Sequence, residues 1–231
     1  TQEQFGSGEV CYLLNGSSPY GEWGQQLGVN DYPVLGSVYK VLMAAKDGLE
    51  GTNYWATFSN LNSNAELIAP TGDIAVYNAT VSDGKLTLTK RSDKKVASGE
   101  GVLLKANSEY VNAKDISDEV SAAATGDTHL VATPKDAGII NAETGYTLYR
   151  FTYNKVASKE CLGFYLGVVG ESKDGSQLKA TPGKAYLKVS TQAATEASTA
   201  KLASGFAFGG DNGEITGIEC ITITDESTHG N

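Results

Sequence analysis

The sequence predicts an all-β fold: an antiparallel β-sandwich of jelly-roll or Greek-key type, with a small turn-rich N-terminal region. Nine or ten short apolar or alternating runs are separated by Gly, Asn, Asp or Pro turns. The chain has 27 glycines among 231 residues, as expected where tight turns are frequent. Helical patterns do not alternate with these runs, which argues against a fold of alternating β and α units.

The strand patterns divide the chain into three parts. Residues 1–50 combine Gly, Asn and Ser with short apolar pieces such as VCYLL and SVYKVLM, and we interpret them as turns joined by short strands that pack on or precede the main domain. Residues 51–225 are predicted to form the β-sandwich domain, and residues 226–231 a tail. Because the chain begins at Thr1 without an apolar leader, we expect a processed piece of a longer protein.

The clearest local prediction is a hairpin at residues 82–84. Its Ser-Asp-Gly sequence lies between IAVYNATV and KLTLTK, and Asp-Gly between alternating residues favours a tight turn. In KLTLTK, Leu86 and Leu88 are expected to point inward, and Thr87 and Thr89 outward. Further strands are predicted at NYWATFS, GVLLKA, HLVAT, GYTLYRFTYN, CLGFYLGVV, KAYLKV, GFAF and ECITIT.

Charge and composition exclude several classes of partner. With 18 basic and 27 acidic residues the net charge is -9, so nucleic acid is not an expected partner. No apolar run approaches the roughly 18 residues of a transmembrane helix, so no membrane span is expected. Cys11, Cys161 and Cys220 form no CxxC or Cys/His group, and small buried cysteines are favoured over one long-range disulfide. No metal and no cofactor are predicted.

Motifs for catalysis are weak. His129, at a strand start, and His229, near the end of the chain, are interpreted as structural or surface residues. FGSGE matches a nucleophile elbow only superficially, because no GxSxG sequence follows a strand and opens a helix. We therefore predict no enzymatic activity and no catalytic residues, with a two-carboxylate glycosidase as an alternative. The acids available for such chemistry are Asp115, Asp118, Glu119, Asp211 and Glu214.

Aromatic side chains are the strongest candidates for binding. Tyr149, Phe151 and Tyr153 occupy every second position of GYTLYRFTYN, so a strand would place their rings on one face. Such a face can stack on a sugar ring, although packing in the core or between sheets is the favoured interpretation. The predicted ligand-binding residues are Tyr20, Trp23, Tyr32, Trp55, Tyr149 and Tyr153.

A series of segments over nearly the whole chain carries a resemblance to a known group of proteins, and the most specific are WGQQLGVNDYPVLG at 23–36, GVLLKA at 101–106 and PGKAYLKV at 182–189. In this order they resemble the C-terminal all-β modules of Bacteroides- and Prevotella-type secreted and cell-surface proteins, which follow repeats or enzyme domains. The resemblance implies an extracellular or cell-surface, adhesin-like module whose partners include other domains of a larger parent chain. It implies no catalytic residues. In that group TGIE precedes an NGQRV-like tail, so the ending DESTHGN predicts a missing tail.

These observations predict a noncatalytic surface or secreted module for adhesion or glycan binding. Its expected partner is a glycan or another host or cell-surface ligand. Two alternatives stay open at this point: a structural spacer domain of a larger surface protein, and a carbohydrate-active hydrolase that uses two carboxylates.

Overall fold

The structure is a computed structural model, and it describes the chain in sixteen segments. They cover most of the region from residue 53 to residue 192 and shorter pieces on either side. The described segments are residues 4–5, 9–16, 23–24, 32–35, 38–42, 45–46, 53–61, 64–69, 72–82, 84–116, 127–134, 138–156, 159–170, 174–192, 205–207 and 222–225.

The described residues include a short helix, α1, and nineteen strands. Helix α1 is Glu9–Leu14. The first ten strands are β1 (Trp23–Gly24), β2 (Val34–Leu35), β3 (Val38–Leu42), β4 (Ala45–Lys46), β5 (Tyr54–Ser59), β6 (Ala65–Ile68), β7 (Ile74–Ser82), β8 (Lys85–Lys90), β9 (Lys95–Val96) and β10 (Gly101–Ala106). The others are β11 (Tyr110–Asp115), β12 (Leu130–Ala132), β13 (Ile139–Asn141), β14 (Tyr146–Val156), β15 (Lys159–Leu166), β16 (Gln177–Lys179), β17 (Ala185–Ser190), β18 (Gly205–Ala207) and β19 (Thr222–Asp225).

These strands build three main sheets and two small pairs. The six-stranded sheet has the order β19-β8-β7-β10-β5-β4, the four-stranded sheet β3-β11-β6-β9, and the five-stranded sheet β12-β17-β14-β15-β18. Strands β1 and β2 form one pair, and β13 and β16 the other. In the part of the chain that is described, all strands pair antiparallel except β19 with β8. The predicted all-β antiparallel sandwich is confirmed, but its jelly-roll or Greek-key topology is not.

The six-stranded sheet is covered on both faces. One face packs on the five-stranded sheet, in a core that contains Leu103, Phe164 and Leu187. The other packs on the four-stranded sheet, in a core that contains Leu104 and Leu67. Neighbouring side chains of β10 therefore enter different cores, which explains why Val102, Leu103 and Leu104 are apolar in succession instead of alternating with polar residues.

A smaller apolar cluster covers the outer face of the five-stranded sheet. Leu148 of β14 and Tyr186 of β17 pack there against Leu178 of β16. The pair β13-β16 therefore lies over the outer face of β14 and β17. This arrangement determines where the five-stranded sheet is accessible from outside.

The predicted hairpin is confirmed by the pairing of β7 with β8. Ser82 pairs with Lys85, so two residues connect the strands, and Gly84 has the positive φ of 69° that a tight hairpin turn requires. Leu86 and Leu88 are buried as predicted, while Thr87 and Thr89 are half-buried on the other side of the strand.

The N-terminal region differs from its prediction at VCYLL. These residues belong to helix α1 and not to a strand. Asn15 and Gly16 explain the difference, since Gly16 has a φ of 66° and donates its N–H to the carbonyl of Leu13, as a residue after a helix end does. The Asn15 amide also donates to the Trp23 carbonyl at 2.7 Å and accepts from the Trp23 N–H at 3.1 Å, which fixes the helix end to β1.

The later part of the N-terminal region contributes edge strands to the main sheets. Strand β3, within the predicted SVYKVLM piece, pairs with β11, and β4 pairs with β5. The division at residue 50 stays a prediction, as does the tail at 226–231, which lies outside the described residues.

Candidate functional site

A cleft of about 190 Å³ opens between β14 and β17, where the five-stranded sheet faces β5. The two strands pair from Tyr146–Ser190 to Tyr149–Leu187 and no further. Beyond that point Arg150 and Phe151 of β14 line one side of the cleft, and Lys184 and Ala185 line another. The opening is therefore a consequence of where the strand pairing ends.

The turn before β17 draws the chain away from β14. Pro182 and Gly183, with a φ of 78° at Gly183, occupy the central positions typical of a type II turn, and Lys184 donates its N–H to the Thr181 carbonyl at 3.2 Å. The Lys184 carbonyl then accepts the Ser59 hydroxyl at 2.7 Å. It also accepts the Thr133 N–H at 3.0 Å. These bonds hold the TPGK segment against β5 and the end of β12, and so position Lys184 at the cleft.

The cleft wall combines hydroxyls, aromatic rings, cations and small apolar groups. The hydroxyl-bearing residues come from β5, from the end of β12 and from the turn before β17, and both aromatic residues are at least half-buried. The described residues that line the cleft are Ala56, Thr57, Thr133, Arg150, Phe151, Leu178, Lys179, Ala180, Thr181, Lys184, Ala185 and Tyr186.

Cations dominate the charge of the cleft. Burial lowers the pKa of the Lys184 ammonium to about 8, because the charged form loses hydration. Burial chiefly raises the pKa of the Tyr186 phenol, with the nearby Lys188 charge acting in the opposite direction and Glu143 in the same direction. Tyr186 is therefore neutral near pH 7. Arg150 and Lys179 are exposed, and the described part of the lining contains no Asp or Glu.

Two of the residues predicted to bind a ligand are core residues, which corrects that prediction. Trp55 is 3% exposed and stacks on Tyr77 at a ring distance of 5.8 Å. It cannot reach a surface ligand because the six-stranded sheet is covered on both faces. Tyr149 is 1% exposed, and burial raises the pKa of its phenol to about 12.

The aromatic row on β14 changes from core to surface along the strand. Tyr149 belongs to the core, and Phe151 is half-buried against it, with its ring 5.2 Å from Phe164 on β15. Tyr153, the third member, is exposed. The row therefore does not form the flat exposed platform that ring stacking on a glycan requires.

The remaining aromatic candidates belong to the N-terminal region. Tyr32 is exposed and meets Phe5 edge-on at 5.4 Å, and Trp23 is half-buried in β1. Tyr20 lies outside the described residues. Ligand binding by Tyr32, Trp23 and Tyr153 stays a prediction.

In the described segments no group of three or more His, Cys, Asp or Glu side chains could hold a metal ion. No helix in these segments has the length and apolarity needed to cross a membrane. Cys11 is buried and its thiol donates to the Trp23 carbonyl at 3.2 Å. The side chains of the other two cysteines and of all five candidate acids, Asp115, Asp118, Glu119, Asp211 and Glu214, lie outside what is described.

His129 has a structural role. Its imidazole Nδ1 accepts the backbone N–H of Val81 at 3.0 Å. Its backbone N–H donates to the carbonyl of Ala79 at 2.6 Å. Its carbonyl accepts the N–H of Lys188 at 2.9 Å. His129 therefore joins the edge of β7 to β17, and burial lowers its pKa, partly offset by the Asp127 charge.

We expect the hydrogen bonds of His129 to make the stability of the protein depend on pH in the acid range. Burial favours the neutral imidazole in the folded state, so the pKa of His129 is lower in the folded protein than its ordinary value of 6.5. The stabilising contribution of neutral His129 is therefore complete above pH 6.5 and is lost as the pH falls through the lowered pKa of the folded state. In His129→Asn the amide oxygen can replace Nδ1 as an acceptor without titrating. Thermal unfolding between about pH 7.5 and about pH 5 should show a steeper fall in Tm for the wild type than for His129→Asn. Parallel falls would contradict this role.

The cleft residues were not identified as a site from the sequence. The relevant signal is the TPGK turn, which precedes the strand AYLKVS and places a lysine directly after a Pro-Gly turn. Arg150 and Thr133 carry no local signal of this kind. They line the cleft only because β14 and β12 flank β17.

Comparison with known proteins does not assign this chain to a family. No family model, no curated protein and no solved structure matches it. The geometry and chemistry of the cleft are therefore the basis for the function proposed below.

Proposed function

We propose that this chain is a noncatalytic module of a secreted or cell-surface protein and that it binds a sugar unit of a glycan in the cleft between β14 and β17. The observation that carries the proposal is the cleft lining, which brings the half-buried Phe151 together with hydroxyl-bearing residues. Sugars present apolar C–H groups and hydroxyls together, so a site for them combines an aromatic surface with hydrogen-bonding groups. Thr57, Thr133 and Thr181 supply such groups.

The size and rigidity of the cleft support binding of a small unit. At about 190 Å³ it suits one sugar ring better than an extended chain. Its walls belong to β5, β14 and β17, and the turn is fixed by the bonds to the Lys184 carbonyl. A preformed site of this kind loses little conformational entropy when it binds a ligand.

Binding is favoured over hydrolysis by the chemistry of the same residues. A two-acid glycosidase needs a pair of carboxyl groups about 5 to 9.5 Å apart on either side of the bond that it cuts. The described lining offers cations and hydroxyls in place of such a pair. The position on a cell surface and the adhesive role are part of the proposal and are supported by the resemblance of three segments to surface modules.

The proposal is tested by glycan-array screening, followed by NMR titration with the best glycan. We expect amide signals of β14, β17 and the TPGK turn to shift. Thr133→Val and Thr181→Val each remove a hydroxyl while keeping the side-chain size, so each should weaken binding about 2- to 10-fold. Tyr32→Ser and Tyr153→Ser serve as matched controls, because these residues are exposed aromatics outside the cleft lining.

Two other results would change the proposal. If the shifts cluster around Tyr32 and its substitution abolishes binding, the cleft is the wrong site. If a broad array gives no bound glycan, glycan binding is wrong, and the spacer role becomes the better explanation of a stable fold without a ligand.

A further inference from the structure

We infer that the cleft holds the carboxylate of an acidic sugar beside the ammonium of Lys184. The inference rests on the proposed function, since it names the chemical class of the sugar. It is carried by a concentration of positive charge within a concave and partly apolar site.

Three cations from different elements line the cleft. Lys184 belongs to the turn before β17, Arg150 to β14 and Lys179 to β16. The protein as a whole carries a net charge of -9, so the sign of the local charge is opposite to that of the molecule. A cleft lined by one sign of charge concentrates ligands of the other sign.

Lys184 is half-buried in the cleft wall, which distinguishes the cleft from an ordinary basic surface. Each element that lines the cleft supplies cationic or neutral groups: Arg150 from β14, Lys179 from β16, the neutral Tyr186 from β17, and threonines from β5 and the end of β12. An ammonium that has lost hydration attracts an anion more strongly than one in open water. The same loss of hydration lowers the pKa of Lys184 to about 8.

The shape and remaining chemistry of the site favour a carboxylate on a sugar ring. The guanidinium of Arg150 can pair with both oxygens of a planar carboxylate. Phe151 and Ala185 provide apolar surface for the C–H face of the ring. A uronic acid combines these two features, because its carboxylate is attached directly to the ring.

The test compares methyl β-D-glucuronide with methyl β-D-glucoside, which differ only in the carboxylate or hydroxymethyl group at C5. Near pH 7 we expect the glucuronide to bind at least about tenfold more tightly, as for a charge-assisted hydrogen bond. The preference should decrease by up to about tenfold for each pH unit above about 8, as Lys184 of the protein without ligand loses its proton. NMR of 13Cε-labelled lysine should show the pKa of Lys184 rising when the glucuronide is present and not when the glucoside is.

Two lysine variants separate recognition from stability. Lys184→Met should lose most of the preference for the glucuronide and the dependence of that preference on pH above about 8, while Arg150 retains the rest. A cooperative thermal transition will show that the variant is folded. Lys188→Met is the matched control, since Lys188 is also on β17 but pairs with Glu143 at 2.8 Å and does not line the cleft. It should keep the preference. Lys184→Met with the wild-type preference would overturn the inference.

The outcomes for this inference and for the proposed function are distinguishable. If both glycosides bind in the cleft with similar affinity, glycan binding stands and the acidic class is wrong. If neither glycoside binds but acetate raises the pKa of Lys184, the carboxylate site stands and sugar binding is wrong. If neither the glucuronide nor acetate changes the lysine spectrum, the acidic class is wrong, and if the glycan array also gives no bound glycan, the proposed function is wrong as well.

Discussion

Replacing either Leu103 or Leu104 with alanine is expected to destabilise the protein by about 2–5 kcal/mol. Both side chains are 0% exposed although they are neighbours on β10. Leu103 packs toward the five-stranded sheet and Leu104 toward the four-stranded sheet. In a sandwich of two sheets, one of two neighbouring side chains would face solvent, and its replacement would have a small effect. Large effects of both substitutions would therefore show that the six-stranded sheet lies between the four-stranded and the five-stranded sheets.

Strand β8 provides the control within the same sheet. Leu88 is buried, whereas Thr89 is only half-buried. Leu88→Ala should cost about 2–5 kcal/mol, and Thr89→Ala less than about 1 kcal/mol. The free energies of unfolding of all four variants can be obtained from urea denaturation. An alternation of large and small effects on β10, like that on β8, would show that one face of the sheet is open.

Removal of the Glu100 carboxylate is expected to have a similarly large effect, because it leaves a buried positive charge with a weaker partner. Glu100 Oε1 accepts from Arg91 Nη1 at 2.8 Å, and these side chains are 4% and 6% exposed. Its other oxygen accepts the Ala97 N–H at 2.9 Å. Asp93, 3.3 Å from Arg91 and 41% exposed, remains as a partner. We expect Glu100→Ala to cost about 3–5 kcal/mol, as for other broken buried ion pairs.

Two further variants show whether burial is the cause. Asp73 pairs with Lys94 at 2.6 Å on the surface, so Asp73→Ala should cost no more than about 1 kcal/mol. The double variant Arg91→Met with Glu100→Leu should recover most of the stability, because it removes both charges and keeps apolar volume. Urea denaturation measures all three. Equal losses for Glu100→Ala and Asp73→Ala would exclude a special role for the buried pair.

Local sequence patterns predicted many of the elements of this fold. The hairpin at 82–84 was predictable because turn geometry depends on a few adjacent residues, and Gly84 readily adopts a positive φ. The strands at GVLLKA and GYTLYRFTYN were predictable from their apolar and aromatic residues. VCYLL was misassigned because a short apolar run fits a helix as well as a strand, and the following Asn-Gly decided the outcome.

The site was not predictable in the same way. The Ser59 hydroxyl and the Lys184 carbonyl that it binds are 125 positions apart in the chain. Trp55 has the composition of a binding residue, yet it is buried because a sheet distant in sequence covers it. Local patterns contain no information about which distant strand will cover a given face.

The sequence by itself determined that this protein is built from antiparallel strands and that its net charge is negative. It also determined the position of the hairpin turn at residues 82–84. These properties depend on backbone preferences, on side-chain alternation and on composition, all of which act within a few residues or do not depend on position. Only the tertiary structure decided that the six-stranded sheet is buried on both faces and that Lys184, Arg150 and Thr133 line one cleft. The physical reason is that burial and the proximity of charges are set by contacts between strands far apart in the chain.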